Sequence, residues 1–286
     1  MKSGFAIIIG RSNVGKSTLL NTLVGSKLAI VTNKAQTTRS VIHGALTDER
    51  GQVVFMDTPG VLQGSHAELT GRMIEKVKEA LHGIDVILYV VDPTRGLGAE
   101  ERYTLSLIRG ASIPKFLVIN KIDLDKKPYL EDYRALSPDF TQTFEISAAD
   151  GSHIKPLINA TFDALPEGEP TYDGLQNTNQ TRAQWLAEII REKALHETRA
   201  EVPYSMHVIV DNIEEKQPGP KNPHMFVIKA RILVSADRYK KMLIGTGGRI
   251  IKEIGSVARK ELEGILDTRV FLEIEVETNP RWMEML

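Results

Sequence analysis

Eight residues, Gly10-Arg-Ser-Asn-Val-Gly-Lys-Ser17, follow the order G-x-x-x-x-G-K-S. Glycines so placed let the backbone wrap an anion with its amide N–H groups turned inward. Gly10, Asn13, Val14, Gly15 and Thr18 then form a phosphate cradle. Lys16 has the reach for the β- and γ-phosphates, and the Ser17 hydroxyl is a hard oxygen suited to Mg²⁺. The motif follows an apolar run, Phe5–Ile9, and precedes a helical stretch, Ser17–Leu23. That context matters, because a helix N-terminus adds partial positive charge at the phosphates.

Three further segments fit the same ligand. Met56-Asp57-Thr-Pro-Gly60 ends another apolar run. A carboxylate at Asp57 suits Mg²⁺ through a water, and Gly60 leaves room for a backbone N–H to meet the γ-phosphate. Asn120-Lys-Ile-Asp123 carries the choice of base. A carboxylate at Asp123 can accept from guanine's ring N–H and exocyclic amine together, whereas adenine presents an acceptor there and leaves the charge unpaired. Asn120 braces the loop and the base, and the stem of Lys121 can lie along the ring. In Ser147-Ala-Ala149, the Ala148 N–H is directed at the guanine carbonyl.

The elements that must hold these loops are legible as short β-branched runs alternating with helical stretches. Phe5–Ile9, Val53–Met56, Val86–Val91, Phe116–Ile119 and Thr143–Ile146 read as strands; Ser17–Leu23, Leu69–Leu81 and Ala99–Arg109 read as helices. This predicts an α/β domain over residues 1–166, with a mostly parallel sheet covered by helices on both faces. Ligands of such folds bind at the carboxyl ends of the strands, where all four motifs fall. Residues 167–181, rich in Pro, Gly, Asn and Thr, read as a linker.

The pattern then changes to α-β-β-α-α-β over residues 182–286. Helical periodicity places Leu186, Ile189, Ile190 and Ala194 on one stripe, and three alternating runs follow at Met206–Val210, Phe226–Val234 and Val270–Val276. Between the last two lies Ile244-Gly-Thr-Gly-Gly-Arg249, with G-x-x-G at Gly245–Gly248. In that element order such a loop marks a type II KH domain, an α+β fold that clamps about four nucleotides of single-stranded nucleic acid. From Lys229 to Lys260 nine basic residues face two acidic ones. Ile244, Gly245, Thr246, Gly247, Gly248, Arg249, Lys252, Lys240 and Lys241 are the candidate RNA contacts. The terminal strand is acidic (Glu273, Glu275, Glu277), so the basic surface should be one-sided.

Bulk properties set the outer limits. With 286 residues, no cysteine and a net charge of −1, the chain has room for two cores and cannot carry disulfides or thiolate metal sites. No apolar run approaches the ~20 residues of a membrane span, so a soluble, cytoplasmic protein is expected.

Taken together, the four loops resemble those of translation-factor-class GTPases. Lys34-Ala-Gln-Thr-Thr-Arg39 beside the phosphate loop is similar to the bacterial Era GTPase family, whose KH domain also follows the GTPase domain. The resemblance implies GTP hydrolysis with GTP/GDP and Mg²⁺, and it assigns Lys16, Thr38, Gly60 and Asn13 to catalysis. Ser17, Thr38 and Asp57 become the metal ligands, with Thr37 the alternative to Thr38. Asn13 has two readings, a loop-bracing amide or a ligand of K⁺. Val61 occupies the place where many GTPases carry a water-orienting glutamine, so hydrolysis should be slow unaided. Ser12 stands where the family usually has proline, and the tail Asn279–Leu286 is short for it.

The implied partner is the single-stranded 3′ end of small-subunit ribosomal RNA, with a role in small ribosomal subunit assembly. A monomer and peripheral membrane association are implied by resemblance alone. Rival readings are a constitutive RNA-binding protein that uses GTP structurally, and a factor for tRNA or large-subunit RNA.

Overall fold

In the computed structural model, residues 1–60, 67–174, 176–198, 201–218 and 224–285 are described. Val61 and Leu286 of the sequence reading lie outside them. The chain divides into two compact units, Met1–Asn179 and Gln180–Leu286.

The first unit is an α/β sandwich. Its strands are β1 (Lys2–Ile9), β2 (Ile42–Asp48), β3 (Gly51–Asp57), β4 (Val86–Val91), β5 (Lys115–Ile119) and β6 (Gln142–Glu145). They lie in the order β2-β3-β1-β4-β5-β6. All neighbours pair in parallel except β2 with β3. Alternation along β1 explains the two cores. Ala6 and Ile8 point to one face, where they meet Leu19, Leu20 and Leu23 of α1 (Lys16–Val24) and Leu157 and Phe162 of α5 (Ile154–Ala164). Ile7 and Ile9 point to the other, towards Val77 of α2 (Ala67–Ala80), Ile108 of α3 (Ala99–Ile108) and Tyr133 of α4 (Leu130–Arg134). Strands buried on both faces read as continuous apolar runs, and β1, β4 and β5 do so.

The antiparallel edge strand β2 is absent from the sequence reading. His43 and Gly44 interrupt its alternation, and it pairs on the sheet's edge, Ile42 opposite Asp57 and Asp48 opposite Gly51. The segment read as a linker follows this edge as a strap. Gln52, 1% exposed, accepts from the N–H groups of Thr171 (2.8 Å) and Tyr172 (2.9 Å) and donates to the Tyr172 carbonyl (2.9 Å). Further along, the Ala45 N–H donates to the Asn177 carbonyl at 2.8 Å. The Asn179 amide spans β2's entry, accepting from the His43 N–H at 2.9 Å and donating to the Val41 carbonyl at 3.0 Å.

The second unit opens with α6 (Arg182–Glu197), started by a capping box in which Thr181 and Gln184 satisfy each other's backbone N–H groups. Then come β7 (Met206–Lys216), β8 (Met225–Val234), α7 (Asp237–Ile244), α8 (Arg249–Leu266) and β9 (Arg269–Thr278). β7 and β8 are antiparallel, β8 and β9 parallel. The parallel pair requires a crossover, which α7 and α8 supply. Leu186 and Ile189 of α6, Leu262 of α8, Phe226 and Ile228 of β8 and Val270 of β9 form the core.

Candidate functional site

The phosphate loop connects β1 to α1. Lys16 is 5% exposed, and its ammonium donates to the Arg11 carbonyl at 2.9 Å. Burial lowers its pKa to about 8, opposed by the nearby carboxylates of Asp57 and Glu101. The loop rests on a buried polar floor that the sequence reading missed. Arg11 pairs with Glu101 at 2.8 Å, and its Nη1 donates to the Gly96 carbonyl at 3.2 Å. Glu101 also accepts from the hydroxyls of Tyr89 (2.6 Å) and Tyr133 (3.2 Å). Arg95 Nη1 donates to the Ser12 carbonyl at 3.2 Å. These partners come from distant parts of the chain, so no local spacing announces them.

Three oxygens converge at the start of α1. Asp57 is fully buried; one carboxylate oxygen accepts from Ser17 Oγ at 2.6 Å and Thr38 Oγ1 at 3.2 Å, and the two hydroxyls are 2.9 Å apart. The other, Oδ1, is buried with no hydrogen bond among the described residues. Burial pushes the Asp57 pKa up, against the pull of Lys16 and both hydroxyls. An unsatisfied buried carboxylate oxygen beside two hydroxyl oxygens is costly alone and suits a hard divalent cation. Ser17, Thr38 and Asp57 therefore fit Mg²⁺. The geometry also separates the two threonines: Thr37 Oγ1 is turned to Thr32 Oγ1 and the Lys34 carbonyl, both at 2.7 Å. Gly60 lies against the phosphate loop. A Cβ there would stand 2.6 Å from Ser12 Oγ and 2.7 Å from Ser12 Cα, so only glycine fits this approach.

Asn120 joins two of the loops. Its amide donates to the Val14 carbonyl at 2.8 Å and accepts from the Ala148 N–H at 2.9 Å. The Ala148 N–H that the sequence reading directs at guanine is thus bonded to Asn120 here. Lys121 bridges Asp92 (2.6 Å) and the Asn13 carbonyl (2.8 Å). Burial works against the Asp92 charge, yet Lys121 and Thr94 hold its pKa below the usual carboxylate value. Asp123 is exposed, with no hydrogen bond or ion pair to another described residue. Ser147 is buried, its N–H donating to the Ser152 carbonyl at 3.1 Å; Ala149 is exposed. Asn13 takes positive φ (64°) and its amide donates to the Asn33 carbonyl at 2.8 Å. Gly15, Thr18, Lys16, Ser17, Thr38, Gly60 and Lys121 line one cavity of about 310 Å³. Gly10 is buried behind it.

In the second unit, Gly245, Gly247 and Gly248 all take positive φ (69°, 62° and 77°). The G-x-x-G turn between α7 and α8 depends on these left-handed conformations. Thr246, Gly247, Lys241, Arg249 and Lys252 are exposed, and Ile244, Gly248 and Lys240 half-buried. Beside the turn a groove of about 340 Å³ is lined by Ile251, Lys252, Gly255, Ser256, Arg259, Leu272 and Ile274. Ile251, Leu272 and Ile274 form its apolar floor. The local basic surplus is smaller than the count suggests. Arg231 pairs with Asp211 (2.7 Å) and Glu277 (2.6 Å), and Lys229 with Glu273 (3.5 Å). Both lie on β8 and are neutralised within the sheet.

Residues 5–121 match the family model "50S ribosome-binding GTPase", and residues 201–283 match the KH domain. GTPase Era of Carboxydothermus hydrogenoformans is 39% identical over 98% of this chain and 94% of its own length. GTPase Era of Leuconostoc citreum is 40% identical over 99% and 93%. Among solved structures, Era in complex with MgGDPNP and nucleotides 1506–1542 of 16S ribosomal RNA has a TM-score of 0.89 at 38% identity, over 99% of this chain and 95% of that one. A variant of Aquifex aeolicus Era bound to GDP·AlF4 has a TM-score of 0.89 at 39% identity, with the same coverage. With the phosphate-loop motif, the Ser17–Thr38–Asp57 cluster and the KH turn carried on one chain, and full-length identity near two-fifths, this protein belongs to the Era family of GTPases.

Proposed function

We propose that this GTPase uses its nucleotide state to govern single-stranded RNA held by the second unit, and that the RNA is the 3′ end of small-subunit ribosomal RNA, bound during small-subunit assembly. The carrying observation is the Ser17–Thr38–Asp57 cluster, where a loop far from the phosphate motif supplies one of three converging oxygens. Thr38 can hold that place only while its loop is folded inward. Lys16 binds the β- and γ-phosphates, Ser17, Thr38 and Asp57 hold Mg²⁺, and Gly60 meets the γ-phosphate. Mg²⁺ when bound neutralises phosphate charge. Asn120 and Lys121 shape the base pocket and Asp123 selects guanine. Loss of the γ-phosphate releases Thr38 and Gly60. Asn13 lies beside the Asn33 carbonyl, and turning its amide would present two neutral oxygens to K⁺.

On the RNA side, Lys241, Arg249 and Lys252 meet phosphates at the Gly245–Gly248 turn, and the apolar groove takes bases. A relative crystallised with the 16S fragment supports this choice of RNA. The name of the matched GTPase model points to the large subunit, but its match ends at residue 121 and concerns the first unit alone.

The test measures binding of an oligonucleotide from the 3′ end of small-subunit RNA, with large-subunit and tRNA fragments as competitors, in the presence of GDP or a non-hydrolysable GTP analogue. Selective binding that differs at least severalfold between nucleotides is expected. The double variant Thr246→Asp/Gly247→Asp should lose RNA while retaining GDP. Equal affinity in both nucleotide states, or preference for a competitor, would overturn the reading.

A further inference from the structure

Position 12 carries a serine in a defined environment. Ser12 is 7% exposed and lines the phosphate cavity with Lys16, Thr38 and Gly60. On the reading above these neighbours mark the γ-phosphate end, and Lys121 lines the cavity towards the base. The backbone around it is fixed from behind, its carbonyl by Arg95 at 3.2 Å and the preceding Arg11 by Glu101 at 2.8 Å. Its Oγ faces Gly60 closely enough that a Cβ there would stand 2.6 Å away, and its backbone nitrogen is 3.0 Å from the same point. Serine thus offers a hydroxyl and an N–H at the seam between phosphate loop and Gly60, and proline would offer neither. The hydroxyl has no hydrogen-bond partner among the described residues. A largely buried hydroxyl is stabilised by an acceptor, and a phosphoryl oxygen is the acceptor this end of the cavity takes.

We propose that Ser12 contacts the γ-phosphate, its hydroxyl donating to a γ-phosphoryl oxygen and so favouring GTP over GDP. This rests on reading the cavity as the nucleotide site. GDP lacks the acceptor, so the contact belongs to one nucleotide state only.

The experiment compares affinities for GDP and for a non-hydrolysable GTP analogue, both fluorescently labelled, in wild type, Ser12→Ala and Ser12→Gly. Removing the hydroxyl should weaken the analogue about tenfold and leave GDP within about twofold, as expected for one charge-assisted hydrogen bond. A retained GDP affinity shows that the variant is folded, and Ser12→Gly serves if Ser12→Ala does not fold. An unchanged ratio of the two affinities in a folded variant overturns the role of Ser12. Failure of wild type to bind either nucleotide overturns the nucleotide reading as well.

Discussion

Lys16 shows how single residues set the site's chemistry. Its ammonium is buried with only a carbonyl as hydrogen-bond partner among the described residues, and burial lowers its pKa to about 8. Phosphates would restore the usual preference for charge and raise that pKa. Where free Lys16 is neutral, above about pH 8, nucleotide binding must therefore take up a proton, and affinity should fall as pH rises through 8. Calorimetry of GDP binding at pH 8.5, in two buffers of different ionisation enthalpy, should show uptake of a substantial fraction of a proton, falling towards none near pH 7. Equal uptake at both pH values would contradict this account. Residue types and order brought Lys16, Ser17 and Asp57 into view, because their motifs are local. Thr37 and Thr38 were not separable that way. Adjacent hydroxyls have the same chemistry, and only the fold turns one to Asp57 and the other to Lys34.

At the level of elements, periodicity revealed what was buried on two faces and concealed what was held by polar side chains. β1, β4 and β5 announce themselves as apolar runs. β2 does not, and the strap over residues 167–179 reads as linker because its order comes from amides rather than hydrophobic burial. Gln52 is the centre of that order, bonded to Thr47 and to three backbone groups of Thr171 and Tyr172. Replacing it with alanine strands two N–H donors and a carbonyl. We expect Gln52→Ala to destabilise the first unit by roughly 2–4 kcal/mol in urea unfolding, with faster hydrogen exchange at Thr171 and Tyr172. A loss below about 0.5 kcal/mol would mean that water substitutes for the side chain. The KH turn was legible because G-x-x-G sits in a matching element order, whereas the groove beside it joins α8 to β9 across a strand pairing that no local pattern encodes.

Across the whole molecule, charge tells most when it is resolved into surfaces. A net charge of −1 is uninformative, and even the basic surplus from Lys229 to Lys260 includes two cations that β7 and β9 neutralise. Of the rest, Arg238, Lys241, Arg249, Lys252, Arg259 and Lys260 are exposed, and Lys241, Arg249 and Lys252 lie nearest the G-x-x-G turn in the chain. Among the described residues no helix is long and apolar enough to cross a membrane. The Asn179 clamp has one further consequence. It grips Val41 and His43, a few residues beyond Thr38, and it is the last residue of the first unit. A protease attacks chain that can leave its bonds. The strap should therefore be cut slowly while Thr38 is held at Asp57, and faster when that loop is released. Limited digestion with GDP should cleave near residues 170–180 several times faster than digestion with the GTP analogue, and Asn179→Ala should erase the difference. A stretch of chain that never touches the nucleotide would then serve as its scissile reporter.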